Sequence, residues 1–145
     1  RINDNMVQYV AQSTIKHMVK NGIDVTTATV GILGVTFKEN CPDIRNSKIA
    51  DVINEFKQWG VQVIVCDPWA DAAEVKHEYG IELGTVNAEN PVDSLVVAVG
   101  HNEFRHLSAT ELRQLVRGEK PVLADVKSLF DRTAMIEQGF TVFRL

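Results

Sequence analysis

The sequence is short of the residues that mark several kinds of protein. Among its 145 residues only Cys41 and Cys66 are cysteines. They are far apart and form neither a CxxC pair nor a Cys/His ligand spacing, which excludes a zinc-finger framework and a disulfide scaffold and points to a reducing, cytoplasmic compartment. Basic residues are too few for a protein that binds nucleic acid by charge alone: 15 Lys and Arg stand against 19 Asp and Glu, for a net charge of -4. Long apolar runs are missing as well. The longest, around Val30 to Val35 and Leu95 to Gly100, fall far short of the roughly 18 residues that a membrane-crossing helix requires. No charged-then-apolar leader opens the chain. With 45% hydrophobic residues there is enough apolar material for a single core. The first residue is Arg1 and not methionine, so the chain reads as a portion of something longer.

What is present is an alternation of apolar runs. From Ile2 to Lys20, the residues Val7, Val10, Ala11, Thr14 and Met18 keep helical spacing, and Asn21-Gly22 closes the helix. Thr29 to Leu33 reads as a buried strand. Ser47 is placed to cap a helix whose Ile49, Val52, Ile53 and Phe56 share one face, and Gly60 stops it. Val61 to Cys66 is β-branched and apolar on both faces, which predicts a strand in the middle of a sheet. Ala70 to Tyr79 reads as helix and Ser94 to Val99 as strand, and Ser108 with Glu111 forms a capping box for a helix over Ala109 to Arg117. Short strands over Pro121 to Ala124 and Phe140 to Phe143 flank a helical turn at Thr133 to Gln138. Strands that alternate with helices predict a doubly wound, mostly parallel α/β sheet of about five to six strands. The opening helix stands outside the alternation, so residues 1–22 are expected to end a preceding region and 23–145 to form the domain proper.

In such a sheet, ligands gather beyond the carboxyl ends of the strands, where helix N-termini favour anions. The loop from Gly34 to Asn46 is long and carries Lys38 and Arg45 towards a helix start, a setting that suits phosphate; a solvated charge or an ion pair with Asp43 is the plainer reading. Gly31 and Gly34 do not form a G-x-G-x-x-G fingerprint, and no GxxxxGK[ST] stretch exists. A phospho-receiver domain, which has similar length and alternation, requires an acidic pair where Gly34-Val35-Thr36 stands. Asp67 reads as a turn residue before Pro68. His101 and His106 suit no metal pair, and a surface or loop-stabilising role is the default for both. Trp59 is expected to pack at a helix end and Trp69 under a loop, or over part of a nucleotide site.

The wording of these loops carries a resemblance. GILGVTFKENCPDIRNSK followed by VCDPWAD resembles the UDP-binding C-terminal domain of the UDP-glucose/GDP-mannose dehydrogenase family. RINDNM and YVA resemble the end of that family's central dimerisation helix, and AVGHNEF and ADVKSLF resemble its later strands. The ENCPDIRNS and HEYGI segments are most similar to the branch acting on UDP-N-acetylglucosamine or UDP-N-acetylgalactosamine in surface-polysaccharide (capsule) synthesis. The resemblance implies a Rossmann-like fold and a chain whose whole protein oxidises the sugar C6 alcohol to a carboxylate in two NAD-dependent steps. It also implies partners for this chain: an N-terminal NAD domain, a central catalytic region bearing a GGxCxPKD thiol, a UDP-sugar substrate and, in the whole protein, a second copy in a homodimer.

Position by position, the resemblance places Phe37 and Lys38 on the UDP-sugar and Arg45 on the NAD pyrophosphate. Lys127 stands where relatives carry an Arg that contacts substrate. The side chains suit these tasks, since Lys offers a compact charge and Arg a planar fork for phosphate oxygens. Asp43 is expected to orient Arg45 or Lys38. Cys41 does not match the family nucleophile, so no catalytic residue and no metal ligand is expected in this chain. The alternative reading is a stand-alone, non-catalytic nucleotide-binding or interaction module of the same fold.

Overall fold

The computed structural model describes residues 2–145. Five strands form one sheet: β1 (Thr29–Leu33), β2 (Gln62–Cys66), β3 (Ser94–Val97), β4 (Val122–Asp125) and β5 (Thr141–Arg144). Their order is β2-β1-β3-β4-β5, and every pairing is parallel. The helices are α1 (Asp4–Lys20), α2 (Lys48–Gln58), α3 (Ala72–Tyr79), α4 (Asn102–Arg105), α5 (Ala109–Gln114) and α6 (Arg132–Glu137).

Side chains alternate along each strand and so feed two cores. Val30, Ile32, Val96, Val122 and Ala124 point to one face, where they meet Val10 and Met18 of α1, Ile53 and Phe56 of α2 and Val75 of α3. Leu33, Leu95, Val97 and Leu123 point to the other, against Phe104 of α4, Leu112 of α5 and Met135 of α6. Each side chain fully buried in this way contributes about 1.5–3 kcal/mol.

Helix starts follow local chemistry. The side chain of Asn3 accepts from the Met6 amide, and Ser108 and Glu111 form the reciprocal capping box that their spacing predicts. Ser47 differs from expectation. It occupies the position before α2, but its side chain makes no capping bond, and its Oγ is buried without a partner among the described residues.

A further expectation is corrected. Gln62–Cys66 is an edge strand and not a central one. Its apolar composition reflects helices on both faces of a parallel sheet, a requirement that holds at the rim as well as in the middle. Its outer edge is partly closed by a bridge from Val65 to Leu83, where the Gly84 amide donates to the Val65 carbonyl. The segment after β3 contains the single turn of α4. α1 packs against α2 and β4, and its Val10, Ala11, Thr14 and Met18 are fully buried.

Candidate functional site

The strand order reverses direction between β1 and β3, since β1 connects outward to β2 while β3 leads the other way through β4 to β5. A crevice beyond the carboxyl ends of the strands at such a point is where open α/β sheets bind ligands. A cleft lies here. Thr36 and Phe37 come to it from the loop after β1; Asn46, Ser47 and Lys48 from the start of α2; Ala98 from the end of β3; and Lys127 from the loop after β4.

Each wall is shaped by a buried carboxylate. Asp67, one residue past β2, accepts from the amides of Val35 and Thr36 at 2.7 and 3.2 Å and from those of Trp69 and Ala70 at 2.8 and 3.1 Å. Burial pushes this carboxyl up, but the hydrogen bonds from His101, Val35 and Trp69 outweigh it and hold Asp67 below its ordinary value. On the other wall Asp125, the last residue of β4, accepts from the amides of Leu129 and Phe130 at 2.9 and 3.0 Å. That turn holds up Lys127, and the next residue, Ser128, sits at φ 55°. The other two non-glycine residues with positive φ among the described residues, Asn40 at 52° and Asn46 at 57°, belong to the loop after β1. All three left-handed positions therefore fall on the loops that bracket the cleft, where a constrained backbone serves to aim side chains.

The structure brings Phe37 and Lys127 together on this cleft, with the Phe37 ring 42% exposed. Lys38 follows Phe37 on the exposed part of the same loop and is not a wall of the cleft. Arg45 lies apart. It borders a separate hollow with Asp71, Glu74 and His77, and its guanidinium grips Asp43 through two bonds of 3.0 and 2.9 Å. Asp43 thus orients Arg45 and not Lys38. Side-chain and backbone hydrogen bonds from Arg45 hold the Asp43 carboxyl down to about 2, from 3.8. A carboxyl so depressed stays ionised until the pH falls through that low value. Arg45→Ala is expected to return it towards 3.8, which carboxyl-resolved NMR titration of both proteins would read; an unmoved Asp43 would show that another donor holds it.

Sequence reasoning missed the contribution of Asn46 and Lys48, whose Nζ pairs with Asp4 of α1 at 2.7 Å, and the wall-shaping roles of Asp67 and Asp125. The available signal was an acid closing an apolar strand run, in VCDP and in VLAD. Of the two roles expected for His101, surface and loop-stabilising, the structure shows the second: the ring is fully buried and accepts from the Asn40 amide of the loop after β1 at 2.9 Å. Trp69 stacks on it and donates from Nε1 to Glu103 at 2.9 Å. Trp59 is at the end of α2 as expected, yet 56% exposed. Among the described residues no group of three or more His, Cys, Asp and Glu is arranged to hold a metal ion, and no helix is long and apolar enough to cross a membrane.

Fold and cleft together define a Rossmann-like α/β domain with a lysine-bearing crevice of mixed polar and apolar lining at its topological switch point. Residues 31–132 match the UDP-glucose/GDP-mannose dehydrogenase family, UDP binding domain, and the chain belongs to that family. It is 46% identical over 127 residues to the UDP-N-acetyl-D-glucosamine 6-dehydrogenase of Salmonella typhi, a match covering 88% of this chain and 30% of that protein. With the enzyme of the same name from Pseudomonas aeruginosa it shares 42% identity over 131 residues, 90% of this chain and 31% of the relative. The chain therefore spans about 30% of the length of these relatives. In fold it is similar to the NDP-N-acetyl-D-galactosaminuronic acid dehydrogenase of Methanosarcina mazei Go1, with a TM-score of 0.86 at 23% identity, covering 98% of this chain and 29% of that one.

Proposed function

We propose that the switch-point cleft binds the uridine diphosphate portion of a nucleotide sugar, and that this chain is the UDP-sugar-binding portion of a cytoplasmic, NAD-dependent UDP-N-acetylhexosamine 6-dehydrogenase of surface-polysaccharide synthesis. The observation that carries the reading is the meeting of Phe37 and Lys127 on one cleft in a chain that matches a UDP-binding family. Phe37, a partly exposed aromatic residue, lines the cleft where a nucleotide or sugar would lie. Lys127 offers a compact positive charge to phosphate, as does Lys38 at the loop's outer side; among the described residues neither lysine has a carboxylate within ion-pair distance.

Residues 1–22 then belong with a central dimerisation region and 23–145 with the binding domain. The exposed Tyr9 and Val19 of α1 suit a helix that continues into contact with a second copy in a homodimer. The described residues fit NAD at one place, Arg45, whose exposed guanidinium is held by Asp43 through Nε and one terminal nitrogen and would turn its remaining edge to a pyrophosphate. NAD, held mainly by a separate N-terminal domain, would supply the hydride acceptor for oxidation of the sugar C6 alcohol. The reacting thiol belongs to the central region, and this chain's part is to bind and orient the substrate.

Calorimetric titration with UDP tests the reading. The chain is expected to bind UDP, and Lys127→Ala and Lys38→Ala are each expected to weaken binding about tenfold or more, the loss of one charge-assisted hydrogen bond of about 1.5–3 kcal/mol. No binding by the unaltered chain, or equal affinities for all three proteins, would refute it.

A further inference from the structure

Behind the cleft wall that Thr36 lines and Asp67 shapes, beneath the loop that carries Phe37 and Lys38, lies a buried polar cluster. His101, the first residue after the turn that follows β3, is fully buried. Its Nε2 lies 3.0 Å from Asp67 Oδ2 and 3.2 Å from Thr36 Oγ1, and its Nδ1 lies 2.9 Å from the Asn40 amide nitrogen. Hydrogen-bond bookkeeping assigns its protons. A backbone amide can only donate, so Nδ1 must be a bare acceptor. The single hydroxyl proton of Thr36 goes to the Lys38 carbonyl at 2.9 Å, so Thr36 Oγ1 can only accept from the ring. Nε2 therefore carries the proton, shared between the Asp67 carboxylate and Thr36. The ring is neutral and in one tautomer.

Each of these bonds closes on the same stretch of backbone. Asp67 takes the amides of Val35 and Thr36 at one end of it, Thr36 takes the carbonyl of Lys38 in the middle, and His101 takes the amide of Asn40 at the other end. Asn40 reaches this position only in a left-handed conformation, at φ 52°. It is fastened a second time by Asn102, whose amide donates to Asn40 Oδ1 at 2.9 Å. A loop with a left-handed non-glycine residue is held only where its surroundings over-determine it, and among the described residues His101 is the side chain that touches both ends of the arrangement.

We propose that His101 is a positioning residue: as a neutral, Nε2-protonated ring bridging Asp67 to the Asn40 amide, it holds loop 36–40 in the shape that presents Phe37 and Lys38 to a uridine diphosphate ligand. The proposal rests on the UDP-binding reading above for its ligand, and on geometry alone for the bridge. His101 touches no ligand itself. Its effect passes entirely through the backbone of the loop.

Three measurements on the 145-residue chain test this. Long-range proton–nitrogen NMR of the His101 ring is expected to give the Nε2-protonated pattern at neutral pH; an Nδ1-protonated or doubly protonated ring would overturn the proposal. His101→Phe keeps a ring against Trp69 and Phe104 but none of the three hydrogen bonds. It is expected to speed hydrogen exchange of the Asn40 amide by tenfold or more and to weaken UDP binding about tenfold, while the β3 amides stay protected. His101→Gln, which retains one donor and one acceptor of similar reach, is expected to recover most of both losses. Unchanged exchange at Asn40, or UDP affinity indifferent to the bridge, would overturn it. If the phenylalanine variant fails to fold, the ring tautomer and the glutamine variant decide. If the unaltered chain does not bind UDP, the ligand reading fails and the affinity claim falls with it, whereas tautomer and exchange still decide the bridge.

Discussion

Gly34→Ala is expected to destabilise the fold by about 3 kcal/mol or more, measured as the loss in urea unfolding free energy. Gly34 closes β1 at φ 103°, and a Cβ there would lie 2.6 Å from Val99 Cβ and 3.0 Å from the Val99 amide nitrogen. The side chain of alanine would thus meet backbone, which cannot swing aside as a flexible side chain does. Positive φ adds about 1–3 kcal/mol and overpacking a further 1–3 kcal/mol. Gly60→Ala separates the two contributions, because Gly60 is also at positive φ, 78°, but has nothing within 4 Å of the added carbon. That control should lose only about 1 kcal/mol. Equal losses at the two positions would mean that the end of β1 shifts to make room. The larger effect at Gly34 should also reach the cleft, since the Gly34 amide donates to the Cys66 carbonyl and starts the loop to Phe37.

Asp67→Ala carries the second large expectation, a loss of about 3–5 kcal/mol, the usual range for deleting one partner from a buried charged network. Four amides and the His101 ring lose their common carboxylate at once, and the bonds from Val35, Thr36 and His101 are buried. The pH dependence has a defined sign. A carboxyl whose value falls on folding contributes stability that is complete above its unfolded value, near 3.8, and is lost as the pH drops through the lower folded value. Urea unfolding at a series of pH values from about 6 downward should therefore show the unaltered chain losing stability through the acid range, and the variant losing less. Identical acid slopes would assign that loss to other carboxylates.

The reach of the sequence can be judged from single residues. Val7, Val10, Ala11, Thr14 and Met18 announced α1 because helical period and burial agree there, and Ser108 with Glu111 announced the start of α5 because the capping box is local. Gln62–Cys66 misled, because apolar composition reports how many faces of a strand are covered and not how many edges are paired. Ser47 misled in another way: a residue suited to capping need not turn its hydroxyl to the helix, and here the hydroxyl is buried elsewhere. The cleft was only half legible. Phe37 and Lys127 were reached through a resemblance in wording, Lys38 also as a cation on a long loop before a helix start, and nothing local says that the loops after β1 and β4 face one another. That follows from strand order, which places only β3 between them. His101 was the least legible, since a lone histidine in a short loop carries no pattern, and its significance appears only when Thr36, Asn40 and Asp67 converge on it from distant parts of the chain.

The seating of α1 has a mechanical consequence. That helix leans on α2, whose first residues line one side of the cleft, and on β4, whose end carries the turn of Lys127 on the other. The Lys48–Asp4 pair ties its first turn to the cleft's rim. The two sides thus share a single prop, and a substitution in the buried face of this helix is placed to disturb both rims of the opening together.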